Sequence, residues 1–156
     1  MTNFKGRFSS AVLAATLIWV LAACSRPPSL GKVGERLEYG GYAMTVLNVE
    51  FAKTFPGARR ALAGETLVAV ELLIESNANN VQVSPTHMWV IESGGKEHRV
   101  HITGHAPILQ AQANLPKGQR VQGWLTFAAP EGATNLHFVN ELPKEFNHVL
   151  LKVALN

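Results

Sequence analysis

Three imidazoles fall within eight residues in Glu97-His98-Arg99-Val100-His101-Ile102-Thr103-Gly104-His105. Neutral imidazole is a good ligand for borderline cations, which makes His98, His101 and His105 candidate ligands for Zn²⁺ or Cu²⁺. His87-Met88 adds a fourth imidazole and a thioether. Spacing works against the set. On a strand His98 and His101 face opposite sides, and His105 follows Gly104 on what reads as a loop. No established zinc or copper template has this spacing, so metal binding is carried as an alternative and no resident cofactor is expected.

Catalysis has less to draw on. The chain holds one cysteine, no Gly-x-Ser-x-Gly elbow and no aspartate, all 11 acidic residues being Glu. A Ser-His-acid relay would therefore have to recruit Glu. Glycosidase chemistry needs two positioned carboxyl groups, whereas these Glu residues mostly alternate with apolar ones on strand faces. A phosphate-cradling glycine loop and an Asp/Asn-rich Ca²⁺ loop are both missing. The expectation is a non-enzymatic protein.

The sole cysteine has a different setting. Lys5 and Arg7 precede an uncharged apolar run from about Ala11 to Val20, followed by Leu21-Ala22-Ala23-Cys24. A positive region, a hydrophobic core and small residues in that order read as an export signal over residues 1–23. A run of about a dozen apolar residues is short of the roughly 20 needed to span a bilayer as a helix. The last four residues resemble the bacterial lipobox. That resemblance implies diacylglycerol on the Cys24 sulfur, cleavage before Cys24, and a membrane partner held through lipid. With Cys24 so used, no disulfide can form within the domain. Ser25 after the cysteine implies the periplasmic face of the outer membrane in a two-membrane bacterium, and otherwise the outer face of the plasma membrane.

Charge excludes one class of partner. The whole chain carries 14 basic and 11 acidic side chains. Without Lys5 and Arg7 the count is 12 against 11, a net of +1. No nucleic-acid partner is expected of a nearly neutral domain.

The elements that must position these residues are strands. After a Pro/Gly-rich stretch, which with Cys24 makes residues 24–34 a tether, residues 35–156 suit one compact domain. Val68, Val70, Leu72 and Ile74 alternate with Ala69, Glu71, Leu73 and Glu75, a strand with one buried face. Similar runs are Tyr42 to Thr54, Met88 to Glu92, His98 to Ile102, Arg120 to Ala128, Asn135 to Val139 and His148 to Leu155. Apolar parity changes between Val46 and Leu47, which predicts a β-bulge. Pro- and Gly-containing turns separate the runs, at Pro56-Gly57, Gly94-Gly95, Pro116-Lys117-Gly118 and Pro130-Glu131-Gly132. Ala58 to Glu65, with Leu62 as its apolar anchor, and Ile108 to Asn114 have the composition of a turn or short helix. Arg59-Arg60 reads as solvated charge at the tip of a long connection, with a lipid headgroup contact as the alternative. The fold expected is all-β: an immunoglobulin-like antiparallel sandwich of seven to eight strands.

A family resemblance runs through the same residues. Gly41-Tyr42, Thr45-Val46, Gly64, Leu67-Val68-Ala69-Val70, Ile74, Ser76-Asn77, Gly94-Gly95, Leu115-Pro116-Lys117-Gly118, Gly123, Phe127 and Pro130 resemble a bacterial immunoglobulin-like lipoprotein domain of unknown function. Members of that group are often mislabelled telomeric repeat-binding factors, and its fold is similar to that of a mycobacterial secreted antigen family. The likeness covers roughly residues 33–141. It implies the sandwich fold and no agreed catalytic residues.

Trp124 shares parity with Gln122, Thr126 and Ala128, opposite Val121, Leu125 and Phe127. An exposed Trp124 flanked by Gln122 and Thr126 would be a platform for a partner, whereas a sandwich usually buries a tryptophan or two between its sheets. The functional expectation is a lipid-anchored envelope protein that binds another envelope component, a protein first. The alternatives are a periplasmic Cu/Zn-binding protein using His98, His101, His105 and His87, and a cell-wall polysaccharide module using Trp124.

Overall fold

The computed structural model describes residues 29–39, 41–101, 104–141 and 149–156. Cys24 and the export signal lie outside them, as do Ile102 and His148 at the ends of two expected strands. Eleven strands are present among the described residues: β1 Ser29–Lys32, β2 Arg36–Tyr39, β3 Tyr42–Ala52, β4 Glu65–Ser76, β5 Val81–Val83, β6 Trp89–Ser93, β7 Lys96–His101, β8 Gln112–Leu115, β9 Arg120–Pro130, β10 His137–Glu141 and β11 Val149–Ala154. A single helical turn, α1 Pro85–Met88, precedes β6.

Nine strands hydrogen-bond in the order β1-β11-β10-β6-β7-β9-β4-β3-β2, and β5 pairs separately with β8. The corner strand is β7. Its Lys96–Arg99 stretch pairs with β6, while Val100 and His101 pair with Phe127 and Thr126 of β9. The two halves thus fold over one another as the layers of a sandwich. Val46, Val68, Val70, Leu72 and Ile74 from one half meet Trp89, Ile91, Phe138, Leu151 and Val153 from the other in one core. Phe127 and Phe138 touch edge to face at 6.0 Å between centroids. Buried Tyr42 donates its hydroxyl hydrogen to Asn140 Oδ1 across the same core.

The alternation in β4 does what its pattern predicts: Val68, Val70, Leu72 and Ile74 are buried, and Glu71, Leu73 and Glu75 on the other face are half-buried. The bulge expected at Val46 is present. Val46 pairs with Leu72 and Asn48 with Glu71, which leaves Leu47 as the extra residue and re-aims the rest of β3.

Several expectations fail. The strands outnumber the seven or eight foreseen, because β1, β2, β5 and β8 have three or four residues each, too few to show an alternation. Residues 29–32, read as tether, form β1 and pair in parallel with β11. Ala58 to Glu65 holds a turn, with Glu65 N donating to Leu62 O (3.1 Å), and no helix. It belongs to an irregular strap, residues 53–64, pinned by hydrogen bonds from Ala58 N to Phe55 O (3.0 Å) and from Ala61 N to Lys53 O (2.8 Å). Leu62 is 60% exposed, and Phe55 is the anchor instead. Ile108 to Asn114 is likewise extended, with Ile108 bridged to Trp124 and Gln112 onward in β8.

Phe55 packs with Leu67, Ala69 and Trp124, and Ala52, Ala58, Ala61 and Ala128 fill around them. This second, smaller cluster lies on the outer face of β4 and β9, under the strap. It explains why Leu67 and Ala69 are buried although they point away from the main core.

Candidate functional site

Where β7 leaves β9, another segment takes its place. Trp124 N donates to Pro107 O (2.8 Å) and Leu109 N donates to Trp124 O (3.0 Å), so residues 107–109 lie along the vacated edge of β9. Two glycines permit the approach. A Cβ on Gly123 would stand 2.6 Å from Leu109 Cα and N, and one on Gly104 would stand 2.1 Å from Thr126 Oγ1. Neither position has room for a side chain.

Between this segment, the end of β7 and the start of α1 opens a cleft of about 300 Å³. Val100, Leu109, Trp124 and Leu125 give it apolar walls, His101 and Thr126 are polar groups in its lining, and Ile108 and Gln110 are exposed beside it. A largely apolar concavity with a few polar groups is the usual form of a binding site.

Trp124 is 6% exposed, so of its two readings burial holds and no surface platform is formed. The strap covers the outer side of β9, and His105 lies on the indole at 4.1 Å between centroids and 30° between planes. Phe55 meets the same imidazole edge-on at 5.2 Å. His105 is fixed at three points. Its backbone N–H donates to Thr126 Oγ1 (3.0 Å), its Nδ1 is 3.0 Å from Ala106 O, and its Nε2 is 3.4 Å from Glu50 Oε2. Thr126 is therefore an internal fastening, 2% exposed, rather than a surface contact. Of the expected trio only Gln122 is exposed, and it donates to Glu71 Oε1 (2.8 Å) while Asn48 donates to Glu71 Oε2 (3.2 Å).

The imidazoles do not converge. His98 pairs with Ile91 on the strand face opposite His101, and its buried Nε2 has no hydrogen-bond partner among the described residues. His101 Nε2 is 3.4 Å from Arg59 Nη2, and Arg59 is also 3.4 Å from Glu65. Burial first, and the Arg59 charge second, hold His101 below its ordinary value of 6.5, against a smaller opposite pull from Glu65. At neutral pH it is uncharged and can accept from the guanidinium. The side chain of His87, in α1, lies outside the described residues. Among the described residues no three His, Cys, Asp or Glu side chains are grouped to hold a metal ion. β7 places His98 on one face and His101 on the other, so these two do not share a site.

Sequence reasoning missed the cleft. Gly123 was its available signal, since an isolated glycine in a strand marks a close backbone approach.

These layers and their packing define an all-β sandwich protein. The chain belongs to the family described as "Domain of unknown function (DUF4352)", which matches residues 31–145. No curated protein matches it. Among solved structures it is similar to a secreted protein from Mycobacterium tuberculosis, MPT63, with a TM-score of 0.60 and 15% identity over 83% of this chain and 99% of that one. A Bacillus subtilis protein described as a lipoprotein, ycdA, gives a TM-score of 0.60 at 10% identity over 76% of this chain, which spans only 38% of the Bacillus protein. The yjhA protein of Bacillus subtilis gives 0.57 at 16% identity over 81% and 99%. At such identities the likeness shows the fold.

Proposed function

We propose that this chain is a lipid-anchored protein of the cell envelope whose sandwich is a non-enzymatic module for binding another envelope protein. The observation that carries the binding half is the cleft between β7, β9 and residues 107–111, with apolar walls and exposed Ile108 beside it. The anchoring half is supported by the order Lys5, Arg7, apolar run, Leu21-Ala22-Ala23-Cys24, and by structural neighbours described as a lipoprotein and a secreted protein. The buried Trp124 removes the support for the polysaccharide reading, and the divergent histidines that for a metal carrier.

The test is photo-crosslinking in intact cells, with benzoylphenylalanine at Ile108 or Gln110 and, as control, at Lys96 at the other end of β7. A recurrent protein captured from both cleft positions, absent from Lys96 and lost when Ile108→Glu is combined with the Gln110 probe, is the expected result. No capture above the Lys96 control would remove the cleft as a partner site.

A further inference from the structure

The short distance between lipid and fold constrains how the sandwich sits. Only four residues, Ser25–Pro28, separate Cys24 from Ser29, where the pairing of β1 with β11 begins. Five Cα steps of at most about 3.6 Å keep Ser29 within roughly 18 Å of Cys24. The strand then rises about 3.3 Å per residue, so Leu30 to Val33 remain close to whatever surface holds the lipid.

The side chains there suit such a surface. Gly31 faces Leu37 in the core, which turns Leu30 and Lys32 outward. Leu30 is 64% exposed and Val33 41%, so two of the five large exposed hydrophobic residues among the described ones fall in this four-residue stretch. Nearby Arg36 is engaged by Glu38 and by Glu75 (3.0 Å), and the Glu35 carboxylate accepts from the Lys32 backbone N–H (3.0 Å), while no ion pair holds the exposed Lys32 ammonium among the described residues. An apolar side chain beside an exposed lysine is the combination that settles into a headgroup boundary containing anionic lipid. A tether this short also keeps the local concentration of bilayer high, so a weak contact is occupied.

We infer that the sandwich does not hang free but lies against the bilayer on its β1 edge, with Leu30 and Val33 in the headgroup boundary and Lys32 toward anionic lipid. This inference rests on the lipidation of Cys24 proposed above. The occupant is a phospholipid surface because that is the surface the covalent chain brings within reach.

The test uses the full lipoprotein, purified with its lipid and reconstituted into phosphatidylethanolamine/phosphatidylglycerol vesicles. Lipidated Cys24 is blocked, so Leu30→Cys, Val33→Cys and Arg60→Cys each supply one reactive thiol for an environment-sensitive fluorophore. Arg60, exposed on the strap over β4 and β9, is the control on the other face. A blue shift and quenching by headgroup spin-labelled lipid at positions 30 and 33, but not at 60, is expected. Emission typical of water at 30 and 33, or protection at 60 instead, overturns the inference. If in that case mass spectrometry finds diacylglyceryl on Cys24 and the protein floats with the vesicles, anchoring survives and only the orientation is wrong. Absence of the lipid removes both.

Discussion

His101 is the side chain whose protonation the fold resists. Its folded value lies below the ordinary 6.5, so the folded state binds the proton less readily than the unfolded chain. The group costs nothing while both states are neutral, and stability falls as pH drops through about 6.5 toward the lower folded value. His101→Gln should flatten that part of the profile, leaving stability at pH 8 nearly unchanged. Urea unfolding midpoints of both proteins between pH 5 and 8 measure it, and equal slopes would sink the assignment. At this scale the sequence was informative about faces and silent about covers. Alternation grouped Trp124 with Gln122 and Thr126 correctly, but periodicity reports which residues share a face and not what lies over it. What lies over Trp124 is Phe55 and His105, from strap and loop residues with no periodic signature.

Among elements, the long strands were readable and the short ones were not. The runs that became β3, β4, β9 and β11 have enough residues to alternate, and the parity change at Val46 marked the bulge before any pairing was known. By contrast, the cleft depends on residues 107–109 replacing β7 along β9, a substitution written only in Gly123. Gly123→Ala should force this segment off Trp124, because the new methyl group meets backbone atoms of Leu109 rather than a side chain that can turn away. A loss of about 1–3 kcal/mol is expected from such overpacking, read as a lower urea midpoint. A midpoint within error of wild type would show that the segment gives way without cost.

For the molecule as a whole, the anchoring proposed at Cys24 is separable from folding. Cys24→Ser should abolish incorporation of labelled palmitate and leave an uncleaved precursor, while the sandwich itself unfolds as before, since Cys24 precedes every strand described. Labelling and intact mass decide the first part, and thermal unfolding of the variant the second. Labelled palmitate retained in the serine variant would move the lipid elsewhere.

The parallel pairing of Ser29–Lys32 with Leu151–Ala154 joins residues about 120 apart, the first described strand resting on the last. Bringing such distant partners together is slow, and it cannot begin until the second of them has been made. A chain made amino end first thus carries β1 unmatched until Leu151–Ala154 follow. A product truncated before Val149 would lack the strand that β1 pairs with and would offer proteases an open edge.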